Sequence, residues 1–163
     1  MSNSVSAANV SELKGSGSVS AQDSVASLRF SDSVVAYTIL RLSFGANIML
    51  HGVSRLLAGH AAFLAYLNHY FEKTSIIPAS SLPAFASVLP WVETTLGLLL
   101  ILGIATRFSL IVGALVVTSL VIGTNLAQDW LVSGLQLIYA FLYYYLLVHL
   151  KENLLSVDGI LHR

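Results

Sequence analysis

Four long apolar runs dominate the sequence and restrict what the chain can fold into. They cover about residues 34–57, 82–104, 108–126 and 131–150. At about 1.5 Å of rise per residue, a helix over each run is long enough to cross a bilayer. Only 10% of the residues are charged, against about 25% in soluble domains, and the mean hydropathy is +0.79. The sequence therefore predicts an all-α integral membrane protein with four transmembrane helices.

One long connection and two short ones join these runs, which predicts an up-down-up-down bundle. In the long connection, residues 60–73 (HAAFLAYLNHYFEK) repeat aromatic and leucine side chains at helical spacing. A helix there is too short to span, so we expect an interfacial amphipathic segment or one that folds back over the bundle. A lid and an aromatic anchor are both open interpretations. Pro90 is expected to kink the second helix or to mark where its spanning part begins.

Residues 1–32 form a Ser-rich segment with few aromatic residues, which predicts a disordered cytoplasmic tail before a membrane domain at 33–163. The basic residues are unevenly placed along this topology. One side of the membrane receives five of them, Lys14, Arg29, Arg107, Lys151 and Arg163. The other side receives Arg55 and Lys73. The positive-inside rule then predicts that both termini are cytoplasmic and that the long connection faces outward.

The first apolar run carries polar residues along one face. On a helical wheel, four of these residues fall within an arc of about 120°, namely Arg41, Asn47, His51 and Arg55. Gly45 and Gly52 border the same face and would let a neighbouring helix approach closely. This face should therefore point into protein, because ionisable groups at membrane depth need polar partners.

Each of the other predicted helices also brings polar residues to the outer half of the bundle. Glu93 lies about 15 Å down the second helix, Asn125 ends the third, and Gln136 and Tyr139 lie on one face of the fourth. With the first helix they define a predicted outer pocket of His51, Arg55, Glu93, Asn125, Gln136 and Tyr139. Arg41 lies nearer the inner surface and is expected to extend toward the headgroups.

Glu93 has the strongest need for a polar partner, since a carboxylate at this depth must be paired or protonated. Arg55, His51 and Arg41 are candidate partners, and depth alone does not choose among them. Glu93 is interpreted either as half of an ion pair that fixes helix register or, with His51, as a catalytic group that handles protons.

Several kinds of chemistry have no basis in the sequence. The chain has no cysteine, which excludes thiol relays, disulfides, cysteine-ligated zinc and iron–sulfur clusters. No metal site is predicted. Haem is not expected, because no spacing pairs the candidate ligands His51, His60 and His69 on facing helices. A net charge of zero argues against nucleic acid as a partner.

Several segments, in their order and spacing, resemble the DoxX-like family of small membrane proteins. In the first helix these are Arg41-Leu42, Gly45 and His51-Gly52, and the second helix and its turn contribute residues 89–107 (LPWVETTLGLLLILGIATR). Residues 123–130, 134–140 and 155–161 follow. The resemblance implies a four-helix bundle in the bacterial inner membrane. The family's recurring polar positions, as this resemblance places them, are Arg41, His51, Glu93, Arg107 and Asp158.

The family is similar to the small subunit of thiosulfate:quinone oxidoreductase, which suggests a quinone-linked redox subunit as the first hypothesis. The substrate-binding residues would then be Arg55, Gln136, Tyr139 and Asn125, and the substrate would be a small anion, neutralised by Arg55, or a quinone head group. Arg41, Arg107 and Asp158 are assigned structural roles. Quinone is the cofactor that this hypothesis admits, and lipid, a redox protein and a second copy of the chain are its candidate partners.

Two alternatives belong to other functional classes. One is a non-enzymatic membrane scaffold or assembly partner for a redox or stress protein, in which the polar residues only hold the bundle together. The other is a small-solute carrier, which the lack of an inverted repeat disfavours.

Overall fold

The computed structural model describes residues 31–74 and 76–161. Nearly all of the predicted Ser-rich tail lies outside these residues. The described part contains four long helices, α1 (Asp32–Ala58), α3 (Leu82–Leu102), α4 (Thr106–Leu126) and α5 (Trp130–Val148). Shorter helices are α2 (His60–Tyr70), α6 (Val157–Leu161) and two 3₁₀ turns, Ala79–Ser81 and Leu150–Glu152.

All four predicted transmembrane helices are confirmed. The long helices are sufficiently long and apolar to cross a membrane, and their bounds agree with the apolar runs to within a few residues. The described residues include no strand. The protein is therefore an all-α multi-pass membrane protein.

Short polar residues and glycines set the helix ends. The Ser31 side chain accepts a hydrogen bond from the Ser33 backbone N–H and caps α1. Gly59 and Gly103 end α1 and α3 with positive φ angles of 87° and 67°, which glycine adopts without steric cost. Asp129 caps α5 by accepting from the Val132 backbone N–H at 3.0 Å.

Close packing of α1 against α3 is the most extensive contact between elements. Gly45 lies against Gly97 and Leu100, and Gly52 lies against the Pro90 carbonyl. The contacts run in opposite directions along the two helices, so the pair is antiparallel. The predicted close approach at Gly45 and Gly52 is thus present, and Gly97 of α3 completes it.

The second helix pair is formed by α4 and α5. Gly113 accommodates the ring of Tyr143, which would overlap any Cβ at that position. By contrast, the backbones of α1 and α5 are farther apart, and these helices meet through side chains, with the Phe44 and Tyr143 ring centroids 4.7 Å apart. The bundle is therefore two closely packed pairs, and the wider seam between α1 and α5 is filled by buried side chains.

The predicted short helix in the long connection is α2, and it folds back over the bundle. Its buried residues Phe63 and Leu67 pack against Ala86 and Leu89 near the start of α3. The first turns of α3 therefore lie beneath α2. In addition, α3 continues unbroken through Pro90, so the proline does not divide it into two segments.

The environment of Arg41 differs from the predicted one. It is 2% exposed, and its terminal nitrogens donate to the carbonyls of Leu100, Ile101 and Leu155. The Leu100 and Ile101 carbonyls lie in the last turn of α3, where helix geometry leaves carbonyls without backbone partners, and Leu155 lies in the C-terminal segment before α6. The predicted extension of Arg41 toward the headgroups is wrong, because its guanidinium is engaged inside the protein.

Candidate functional site

An ion pair between α1 and α3 lies at the centre of the candidate site. Arg55 Nη1 bonds to Glu93 Oε2, and the side chains are 27% and 9% exposed. Gly52 is one turn before Arg55, and its contact with Pro90 and Thr94 brings α1 onto α3 at this level. Of the three partners considered for Glu93, the structure places Arg55 against it.

Arg55 has a second neighbour on α2. Its guanidinium carbon lies 5.2 Å from the centroid of the Phe63 ring, which is within the range of a cation–π contact. Two interactions from different elements therefore orient the guanidinium. An arginine positioned in this way presents its remaining N–H donors in a defined direction.

The ion pair faces a cavity of about 290 Å³ between the two helix pairs, which we call the inner cavity. Its polar lining residues are His51, Arg55, Glu93, Gln136, Tyr139 and Tyr143. Five of the six residues of the predicted outer pocket thus lie around one space. The rest of the lining is mostly aliphatic, from residues such as Ile48, Leu96 and Val117.

Asn125, the sixth predicted residue, lies elsewhere. Its Nδ2 donates to the Val121 carbonyl in its own helix at 2.7 Å, and it lines neither the inner cavity nor the outer one described below. The preceding residue, Thr124, is buried and its hydroxyl donates to Gln136 Oε1 at 2.8 Å. One residue turns a helix by about 100°, which directs Thr124 inward and Asn125 away.

Tyr139 and His51 lie where the inner cavity meets the seam between α1 and α5. The Tyr139 hydroxyl donates to Asn47 Oδ1 at 3.0 Å, and the His51 and Tyr139 rings are 6.3 Å apart. His51 and Asn47 are exposed on the surface of the bundle. The inner cavity therefore has polar groups beside the Arg55–Glu93 pair and also along the seam between α1 and α5.

A second cavity, about 570 Å³ and here called the outer cavity, lies beneath α2. Its lining is rich in aromatic side chains, namely Phe63, Tyr66, Tyr70, Phe71 and Phe85. The inner and outer cavities share Arg55, Leu120, Val132 and Gln136 as lining residues. The two spaces are therefore neighbours, with Arg55 and Gln136 at their junction.

The far end of α2 is attached to the turn between α4 and α5. Tyr70 donates its hydroxyl hydrogen to Asp129 Oδ2 at 2.8 Å, while Asp129 also caps α5. Burial, followed by the hydrogen bond to Asp129, raises the pKa of Tyr70. The phenol therefore remains protonated and able to donate over the ordinary pH range.

The remaining predicted polar residues lie at the opposite end of the bundle. Asp158 accepts from the backbone N–H groups of Ala105 and Thr106 at 2.9 and 2.7 Å, which caps the start of α4. Arg107 lies beside this cap and is exposed. These residues do not join the inner cavity. Among residues 31–74 and 76–161, no three His, Asp or Glu side chains form a metal-binding group.

The DoxX family model matches residues 36–130 of the chain. The match runs from the second turn of α1 to the first residue of α5 and covers more than half of the sequence, including the Arg55–Glu93 pair. The resembling segments at 134–140 and 155–161 lie beyond it. No curated protein and no solved structure matches the chain. On the family match and the four-helix architecture together, the chain belongs to the DoxX family.

Proposed function

We propose that the protein is the membrane subunit of a quinone-linked redox system and binds a quinone head group in the inner cavity. The main support is the convergence of His51, Arg55, Glu93, Gln136 and Tyr139 on one small space with mostly aliphatic walls. A quinone ring has the same character, since it is apolar apart from two carbonyl oxygens. Pockets with a few polar groups in apolar walls are typical small-molecule sites.

The side chains have complementary roles in this proposal. Arg55 and the Gln136 Nε2 amide group, whose Oε1 already accepts from Thr124, donate hydrogen bonds to the quinone oxygens. Tyr139, whose hydroxyl donates to Asn47, lines the site beside them. The Glu93 carboxylate accepts from one hydroxyl group of the quinol. Reduction of a quinone to a quinol takes two electrons and two protons. The electrons come from a partner redox protein, while His51, exposed at the seam, and Glu93 exchange the protons.

A purified Glu93→Gln variant tests this assignment by isothermal titration with short-chain quinone and quinol analogues. We expect quinol affinity to fall by about tenfold and quinone affinity by less, because a carboxylate is a stronger acceptor than an amide. Glu72→Gln is the matched control, since Glu72 lies on the exposed end of the long connection with its side chain 70% exposed. Unchanged quinol binding in Glu93→Gln would contradict the proposed role of Glu93.

A scaffold function is the second candidate, and the Arg55–Glu93 pair itself favours it. An ion pair joining α1 to α3 explains both charged residues as structural elements without any ligand. In that case affinity purification would recover a partner protein while the isolated chain binds neither quinone nor quinol. This outcome would replace the quinone proposal.

We also propose a location in the bacterial cytoplasmic membrane with both termini inside, on the basis of the charge distribution. Because the chain has no cysteine, single substitutions can be labelled without background. Ser80→Cys should react with a membrane-impermeant maleimide in intact spheroplasts, and Lys151→Cys only after lysis. The opposite labelling pattern would reverse the orientation.

A further inference from the structure

We propose that the outer cavity holds the apolar tail of the same ligand whose polar head occupies the inner cavity. The inference rests on the proposed function and extends it to the ligand class, a quinone with a hydrocarbon chain. Three observations support it, namely that the two cavities adjoin, that the outer one is lined mainly by aromatic and aliphatic side chains, and that α2 covers it.

The two cavities adjoin at a polar junction. Arg55 and Gln136 line both spaces, together with Leu120 and Val132. An oxygen atom hydrogen-bonded to Arg55 therefore lies at the boundary of the outer cavity. A substituent on the head group, next to that oxygen, would enter the outer cavity directly.

The linings differ in their ionisable groups, although both are mostly apolar. The inner cavity contains His51 and Glu93. The outer cavity, away from Arg55 at the junction, is lined by aromatic rings, aliphatic side chains such as Leu67 and Val88, and a few hydroxyl groups. Burying a hydrocarbon chain there removes apolar surface from water, and each buried CH₂ contributes favourably. The volume of about 570 Å³ lies within the ordinary range for small-molecule sites.

The position of α2 encloses this space from above. The helix is connected to α1 at Gly59, packs on α3 through Phe63 and Leu67, and reaches the turn between α4 and α5 through Tyr70 and Asp129. A tail beneath α2 would be held by three elements at once. In this proposal α2 is therefore the wall of a binding site in addition to an aromatic anchor at the interface.

Gly123 of α4 offers a way to fill the outer cavity without disturbing the helix. A Cβ at this position would lie 3.6 Å from Phe71 Cζ, an ordinary van der Waals contact. Gly123→Leu therefore extends a side chain into the outer cavity while leaving the inner one unchanged. Gly134→Leu on α5 is the matched control, because a Cβ there has nothing within 4 Å.

The experiment compares the affinity of a decyl-tailed quinone with that of the same head group without a tail, for the full-length protein in detergent. We expect the tail to increase the affinity of the wild-type protein by about tenfold or more. In Gly123→Leu this gain should disappear while the tailless quinone binds as before. Gly134→Leu should retain the full gain.

Three outcomes would overturn the proposal and are distinguishable. If the wild-type protein binds both quinones equally, the proposed function stands and the tail site is wrong. This result is expected if a phospholipid acyl chain fills the outer cavity. If Gly123→Leu retains the gain, the tail lies elsewhere. If neither quinone binds, the proposed function fails and the tail site with it. Ser119→Leu, which also lines the outer cavity, repeats the test should Gly123→Leu not fold.

Discussion

Two arginines of α1 lie at opposite ends of the bundle and have different surroundings. Arg41 is almost completely buried, and both of its terminal nitrogens donate to backbone carbonyls. Arg55 is partly exposed, forms one ion pair, and borders both the inner and outer cavities. An arginine engaged by carbonyls at helix and chain ends stabilises the fold, whereas one that faces a cavity has donors free to bind a ligand.

The surroundings of each arginine extend this difference. At the end that contains Arg41, Asp158 caps α4 and holds the C-terminal segment against the turn after α3. At the end that contains Arg55, a cavity of about 290 Å³ lies between the helix pairs, and His51 is exposed beside it. Proteins commonly place binding sites in their less tightly packed regions.

Replacing Arg41 should have the largest effect on stability. Arg41→Gln removes hydrogen bonds to three carbonyls in a nearly inaccessible region, and we expect the free energy of unfolding to fall by about 3 kcal/mol. Unfolding monitored in bicelles would measure this loss. Arg107→Gln is the control at the same end, and its effect should be within about 0.5 kcal/mol because Arg107 is exposed. Equal losses in both variants would contradict the structural role of Arg41.

Replacing Arg55 should have an intermediate effect that a second substitution reverses. Arg55→Gln leaves the Glu93 carboxylate buried and unpaired, and we expect the free energy of unfolding to fall by about 2 kcal/mol. This loss is smaller than for a fully buried pair because Arg55 is partly exposed. The double variant Arg55→Gln/Glu93→Gln should recover to within about 1 kcal/mol of the wild type. A double-mutant cycle with no coupling would show that the pair does not contribute to the fold.

Removing the Tyr70 hydroxyl should have the smallest effect. Tyr70→Phe eliminates one hydrogen bond to Asp129 and should cost about 1 kcal/mol, whereas Tyr66→Phe, one turn earlier and exposed, should cost less. Because the folded protein raises the pKa of Tyr70, this contribution is present below about pH 10 and is lost as the pH rises further. An effect of Tyr70→Phe that does not diminish at high pH would contradict this assignment.

Much of the architecture could be predicted from the sequence because hydrophobic run length and helical periodicity are local properties. The four spans, the short helix α2 and the close approach at Gly45 and Gly52 all follow from spacing along the chain. The same spacing identified five residues that line the inner cavity. These predictions needed only the position of each residue on its own helix.

Other features depend on how the helices are offset from one another. The choice of Arg55 as the partner of Glu93 follows from the contact between Gly52 and Pro90, which fixes the axial alignment of α1 and α3. Thr124 contacts Gln136 in place of the predicted Asn125, because adjacent residues of a helix point in directions about 100° apart. The outer cavity exists because α2 docks on α3. The helical repeat in residues 60–73 predicted a short helix that could fold back over the bundle, but it did not identify α3 as the helix that α2 contacts.

The most direct test of the central claim is mass spectrometry of quinones that remain bound after purification in mild detergent. We predict that the wild-type protein and Arg107→Gln retain a quinone in comparable amounts. The double variant Arg55→Gln/Glu93→Gln, which should remain folded, is predicted to lose it. A wild-type protein without quinone, or a double variant that retains as much as the wild type, would contradict quinone binding at the Arg55–Glu93 pair.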